Sequence, residues 1–411
     1  MSAQNLQQKR AGYSLFALNF FMADLQAGIG PFLGVFLLAH GWHSGTIGTV
    51  MTIGGVAGMA VTAPAGALID ATRHKRNYII LSALFTSIAA ALILFSQEFW
   101  VVCVSQVATA IAGSVLGPAV VGITLGIVKQ EGFNRQNGGN QAFNHAGNVF
   151  GAAMSGLLGM HYGMTAIFLL SVFFGALSAI TVLSIPARMI DDNAARGLSD
   201  SENATDASGF NVLFTCKPLV ILAIVLATFH LGNAAMLPLY GLAAASTKKV
   251  EPMMFVAWTI IIAQVVMVIT SIVAMRMAER TGYWLVILIS CLSLPIRGII
   301  AAHWMGPVGL YPVQMLDGIG AGLQSVAVPG LVAKILDGSG RVNVGQGAVM
   351  TMQNIGAALS PAIGGWLAQS IGFSGAFFVL GLFSVISIII WILYAGVLKA
   401  ACNHQPRKTA L

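Results

Sequence analysis

Charge is what this chain has least of. Only 8% of its 411 residues are Asp, Glu, Lys or Arg, while 57% are hydrophobic and the mean hydropathy is +0.84. Soluble domains carry about 25% charged residues, so a water-soluble globular fold is excluded. The four cysteines, Cys103, Cys216, Cys291 and Cys402, are scattered without pairing or metal-ligand spacing, and no disulfide framework or metal site follows from them. No Gly-x-x-x-x-Gly-Lys loop is present, which argues against nucleotide-driven work. Clustered His, Cys, Asp and Glu are missing from the apolar runs, and no nucleophile has a convincing base, so a membrane enzyme is not expected. Nothing resembles the effector domain of a membrane sensor.

What the chain has instead is apolar length. At roughly 20 apolar residues per crossing, it holds about twelve spans joined by short loops. They are read at 13–39, 45–69, 77–96, 99–128, 140–162, 164–185, 218–245, 253–275, 283–302, 310–336, 345–370 and 373–398. The first dozen residues are polar and carry no small-residue cleavage site, so the first apolar run reads as a retained span and not a signal peptide. One connection is long: 186–217 holds Asp191, Asp192, Arg196, Asp200, Glu202 and Asp206 among small residues and reads as a flexible polar linker. It divides the chain into an N-terminal bundle, 13–185, and a C-terminal bundle, 218–398, with tails at 1–12 and 399–411.

The net charge of +7 would suggest a nucleic-acid partner, but the placement of the cations argues otherwise. Of twenty Lys and Arg, seventeen lie at the termini or in alternate loops, against Lys248 and Lys249 in the other loops and Arg297 inside a span. That bias predicts a multi-pass plasma-membrane protein, a bacterial inner membrane being the natural setting, with both termini cytoplasmic. Its expected partners are a lipid bilayer and a small-molecule solute, with no nucleic acid, and it is expected to act as a monomer.

The two halves repeat each other. Pro31 and Gly34 correspond to Pro238 and Gly241 at an offset of 207, and Gln106 to Gln314 at 208. Gly147, Gly156, Gly163 and Phe168 correspond to Gly356, Gly365, Gly372 and Phe377, all at 209. A nearly constant offset across several elements marks a duplicated six-helix unit.

Between the second and third spans lies Gly66-Ala67-Leu68-Ile69-Asp70-Ala71-Thr72-Arg73-His74-Lys75-Arg76. The glycine is expected to let two helices approach, the aspartate to pair at a helix end, and the cations to face anionic lipid. The stretch resembles the loop signature of the major facilitator superfamily, with Arg73 near the place of the usual second glycine. A degenerate echo, Ala278-Glu279-Arg280-Thr281-Gly282, sets Glu279 opposite Asp70. The resemblance covers the whole chain. It implies an all-α polytopic fold of twelve transmembrane helices in two pseudo-symmetric six-helix bundles, and secondary transport by alternating access. It also implies a gating role for Gly66, Asp70, Arg73, Lys75, Arg76, Glu279 and Arg280. Asp70 is expected to serve the conformational cycle and not substrate binding.

Polar residues mark particular spans. Gln141, Asn144, His145 and Asn148 recur at i, i+3, i+4 and i+7, one face of the fifth span. Amides are costly to leave in lipid, so that face is expected to meet an aqueous cavity or another helix. Asn19, His230, Asn233, Gln264, Gln314, Gln353 and Asn354 are the further candidates for lining a cavity. The histidines lack metal-ligand spacing; each reads as hydrogen-bonded, with proton transfer open to it.

Three charged side chains lie clearly within spans: Asp24, Arg297 and Asp317. Such residues are expensive in a bilayer and are functional candidates by default. Asp24, about eleven residues into the first span, sits near the midplane, where a protonatable acid is what proton coupling requires. Arg297 and Asp317 lie at similar depth on consecutive spans, which predicts an ion pair.

Superfamily antiporters often carry a glycine run with a central Gly-Pro in the fifth span. Gly147 to Gly156 resembles it, with Ala152 for the proline and Ser155 for one glycine; Gly356 through Ser360-Pro361 to Gly365 is a second version in the eleventh span. The membrane arginine that many proton–drug antiporters place in the fourth span is absent, with Gln106 near its position. The expectation is proton-coupled export of a small amphipathic organic compound, with no cofactor beyond the proton gradient. Proton-coupled import of an organic anion or nutrient is the rival.

Overall fold

The computed structural model describes residues 3–27, 30–195, 216–248, 250–336 and 342–402; the side chains of Asp24 and Asp70 fall outside what it describes. Helices account for nearly all of it, and no strand occurs among the described residues. In chain order they are α1 (Ala3–Ala27), α2 (Gly30–Ala39), α3 (Ser44–Ala71), α4 (Lys75–Phe95), α5 (Phe99–Tyr162) and α6 (Met164–Leu183). After a short turn come α7 (Asp192–Ala195), α8 (Lys217–Asn233), α9 (Met236–Ser246), α10 (Pro252–Thr281), α11 (Tyr283–His303), α12 (Pro307–Ile335), α13 (Val342–Leu393) and α14 (Ala395–Cys402).

Two helices are too long for one crossing. The apolar stretch Gly345–Leu393 has 49 residues, about 73 Å of helix at 1.5 Å per residue, against a hydrocarbon core of about 30 Å. It breaks at Gly372, whose φ is 79°, a left-handed value that glycine adopts without strain. The α5–α6 turn uses Gly163 in the same way, at φ 73°. These are corresponding positions of the repeat. The 64-residue α5 turns at Lys129, a non-glycine residue at φ 55°. The expected loop 129–139 is therefore helical apart from that residue.

Among the described residues, nine stretches are apolar and long enough to cross a membrane, Gly345–Leu393 counting as one of them. The second half of α5 is not among them, because its Asn, Gln and His lower its hydropathy. The first span is divided between α1 and the shorter apolar α2. Twelve passes result, in the fold expected.

Apolar exposure follows helical spacing. On α4, Leu81, Leu84, Phe85, Ile88 and Leu92 are all exposed, a stripe that would face lipid. Lipid tails are as apolar as leucine, so burial alone does not drive these helices together; close packing through small residues does.

Residues 1–205 with 244–261 form one compact unit, and 206–243 with 262–411 the other. In the first, Leu15, Leu18 and Met22 of α1 meet Ile79 of α4 and Leu116, Ile123 and Ile127 of α5. A Cβ placed on Gly147 would collide with the carbonyl oxygen of Phe20. In the second unit, a Cβ on Gly356 would collide with the carbonyl oxygen of Ala227. Gly147 and Gly356 are repeat mates at an offset of 209, and Phe20 and Ala227 at 207, the offset of their own spans. One helix contact is built twice.

The start of the linker departs from expectation. Residues 187–195 form a turn and the short α7, and they lie against the middle of α5, around Gly122 and Gly126, just before its break at Lys129. Asp191 donates its N–H to the carbonyl of Gly126 at 3.0 Å, and a Cβ on Gly126 would stand 2.9 Å from Ile190. Backbone N–H groups of Ala194 and Asn193 donate to the Asp191 carboxylate and hold it below its ordinary range. Residues 196–215 lie outside the described chain.

Candidate functional site

In the first unit the polar face of α5 is real and accessible. Gln141 is exposed, and Asn144, His145 and Asn148 are half-buried. Asn148 donates its amide to Asn144 Oδ1 at 3.2 Å, and Asn144 donates to the Asn19 carbonyl on α1 at 3.4 Å. Aromatic rings flank the stripe: Phe143 stacks on Phe16 at 4.9 Å, and Phe150 meets Phe20 at 5.7 Å. Asn19 itself is buried, and its amide returns to its own helix, donating to Leu15 O at 2.8 Å. Asn19, expected to line a cavity, has its amide satisfied four residues back in its own helix, while its carbonyl accepts from Asn144 of the polar face.

The second unit presents the counterpart. Gln353 and Asn354 on α13 lie 209 positions after Asn144 and His145, three and two residues before Gly356 as those are before Gly147. Gln353 is half-buried and Asn354 exposed. Gln353 Nε2 is 3.3 Å from His230 Nε2 on α8. Gln264 on α10 is half-buried. Gln314 is different. It is fully buried, and among the described residues neither of its amide atoms has a hydrogen-bond partner.

The charged residues of this unit converge. Arg297 on α11 donates from Nη1 to Asp317 Oδ1 on α12 at 2.7 Å and to Asn233 Oδ1 on α8 at 2.8 Å. Its side chain is 1% exposed and that of Asp317 14%. Three helices meet at one guanidinium nitrogen, while among the described residues Nε and Nη2 have no hydrogen-bond partner. His230 lies one turn before Asn233 on the same face of α8. Nothing in the sequence marked Asn233 as the third member, since no spacing rule ties α8 to α11.

The loop after α3 is organised locally. Thr72 closes the helix by donating to Leu68 O at 3.1 Å. Lys75, expected at the lipid surface, is instead 1% exposed; it donates to Thr72 O at 2.7 Å and lies 3.9 Å from Asp192 of the linker. A Cβ on Gly122 of α5 would stand 3.1 Å from its stem, so a small residue there makes room for it. Arg73 is exposed, and Arg76 reaches the Leu183 carbonyl at 3.4 Å. The close approach expected at Gly66 is absent, with nothing within 4 Å of a Cβ there; it occurs at Gly54, opposite Gln106 at 3.1 Å. Glu279 and Arg280 are exposed at the end of α10. Among the described residues no group of three His, Cys, Asp or Glu could hold a metal ion.

This is the architecture of a membrane transporter: polar, uncharged faces on duplicated helices, with ionisable side chains inside the spans. The sequence pattern of the Major Facilitator Superfamily matches residues 13–307 and 292–408. The chain is 36% identical over 375 residues to the uncharacterized MFS-type transporter MT2531 of Mycobacterium tuberculosis (strain CDC 1551 / Oshkosh), covering 90% of each. Its fold is similar to a crystal structure of the nucleoside transporter NupG, with TM-score 0.74 and 14% identity, covering 93% of this chain and 98% of that one. It is also similar to a bacterial homolog of the human lysosomal transporter Spinster, with TM-score 0.75 and 12% identity, covering 99% and 100%. The chain belongs to the major facilitator superfamily, as a multi-pass membrane transporter with the alternating-access fold.

Proposed function

We propose that this transporter moves a small amphipathic organic compound outward across the plasma membrane in exchange for protons, working as a monomer with both termini cytoplasmic. The observation that carries the reading is the paired amide face. Asn144, His145 and Asn148 on α5, and Gln353 and Asn354 on α13, are accessible and offer donors and acceptors without a fixed charge. Faces of this chemistry, one in each unit, suit a neutral or weakly charged solute. The glycine runs of the fifth and eleventh spans support the antiport branch. The rival, import of an organic anion, needs an available cation, and Arg297 is buried and engaged by Asp317 and Asn233.

Asp24 is proposed as the proton carrier, from its place in the first span. Asp24→Asn mimics the protonated acid permanently. In liposomes with an imposed pH gradient, the variant is expected to lose accumulation of labelled chloramphenicol, a neutral amphipathic probe. It should still exchange internal for external label, because exchange needs no proton release. Accumulation equal to the wild type would remove Asp24 from the coupling role.

A further inference from the structure

One end of the second unit carries a feature that transport does not use. Where α13 leaves the apolar stretch at Leu393, the chain continues into the short α14, whose Leu398 and Cys402 are buried against the unit. Lys399, exposed on the other side of α14, sits over the ring of Trp284 at the start of α11, 4.4 Å from its centroid. Lys217, exposed at the start of α8, sits 5.7 Å from the ring centroid of Tyr394. Both distances are within the range of cation–π attraction. Lys334, at the end of α12, donates to the Cys402 carbonyl at 2.9 Å and ties α14 down from a third helix. Trp391 donates to the Trp284 carbonyl at 3.0 Å and fixes the platform from below.

We propose that this corner is a binding site for the phosphodiester headgroup of an anionic phospholipid. The rings hold two ammonium groups at the level where apolar helix gives way to polar chain, which is the depth of lipid headgroups. A lysine resting on a ring keeps its remaining N–H donors turned to solvent, where a phosphate oxygen can accept them. Charge decides the ligand: Lys217, Lys399 and Lys334 bring three cations to this corner, among Trp284, Trp391 and Tyr394. Basic groups of this kind between helix ends favour anionic lipid over zwitterionic lipid.

The test compares lipid adducts by native mass spectrometry of the full chain in detergent, with phosphatidylglycerol and phosphatidylcholine supplied at equal concentration. A lysine near an anionic headgroup is worth roughly a fivefold gain in binding, so the Lys217→Gln, Lys399→Gln double variant should lose roughly 25-fold of the preference for phosphatidylglycerol. The Lys217→Arg, Lys399→Arg variant should keep it. Arg276→Gln, which removes another exposed cation from the end of α10, should leave it unchanged. Undiminished preference in the double Gln variant would overturn the proposal. So would displacement of phosphatidylglycerol by millimolar inorganic phosphate, which would make the site one for free anion. If the double variant does not fold, the two single Gln variants carry the same test, each expected to lose about fivefold.

Discussion

Gly147→Ala and Gly356→Ala are each expected to destabilise the protein, while the same substitution nine residues earlier, at Gly138 or Gly347, is expected to be neutral or stabilising. The contrast follows from what a methyl group would meet. At Gly147 and Gly356 it would run into a backbone carbonyl oxygen of the facing helix, Phe20 or Ala227, and a carbonyl cannot rotate aside as a side chain can. The helices must separate, and in a membrane their close contact is the main source of association. Overpacking of this kind costs about 1–3 kcal/mol, and a rigid neighbour places these two at the upper end. At Gly138 and Gly347 nothing lies within 4 Å, so alanine gains only its helix propensity, up to about 1 kcal/mol over glycine. Thermal unfolding of the purified protein in detergent reads both signs. Unchanged stability of Gly147→Ala would mean that α1 and α5 are not in this contact.

The second large effect is expected at the buried ion pair. Arg297→Gln leaves Asp317 charged without its cation, and Asp317→Asn leaves a guanidinium that is 1% exposed without its anion. Removing one partner of a buried pair costs about 3–5 kcal/mol, most of it the uncompensated charge left behind. The double variant, Arg297→Gln with Asp317→Asn, strands neither charge. It should therefore be more stable than the sum of the two losses predicts, with a coupling of about 2 kcal/mol. The reversed pair, Arg297→Asp with Asp317→Arg, should recover part of the folded yield. Additive losses around the cycle would show that the two side chains do not depend on each other. Asn233→Ala should cost less than either charge change, because it removes only a neutral acceptor of the same guanidinium nitrogen.

The repeat was readable because it is written in glycine. Gly163 and Gly372 sit at positive φ, and Gly147 and Gly356 pack on carbonyls, so both demands leave a mark that survives divergence of the surrounding side chains. The amide stripe of α5 was readable from its 3.6-residue period. Periodicity says which residues share a face, but not which neighbouring helix covers that face. That Asn19 and Gln314 are buried here is not legible from the period for that reason. The linker start was missed for another. Its composition is that of a solvated loop, and what seats it is a backbone hydrogen bond to Gly126, which any residue at position 191 other than proline could donate. Lys75 reads as a surface cation until the small residue Gly122 and the linker beside it are seen.

The most direct test of the proposed exchange follows protons and solute together. Purified protein is sealed into liposomes containing pyranine, with the membrane potential clamped and no initial pH difference. Labelled chloramphenicol is then added outside; it carries no titratable proton near neutrality, so any pH change reports the protein. Exchange predicts that entry of label drives protons out and raises the internal pH, in wild type and not in Asp24→Asn or in empty liposomes. Protein-dependent entry of label with a constant internal pH, or with a falling one, would contradict it.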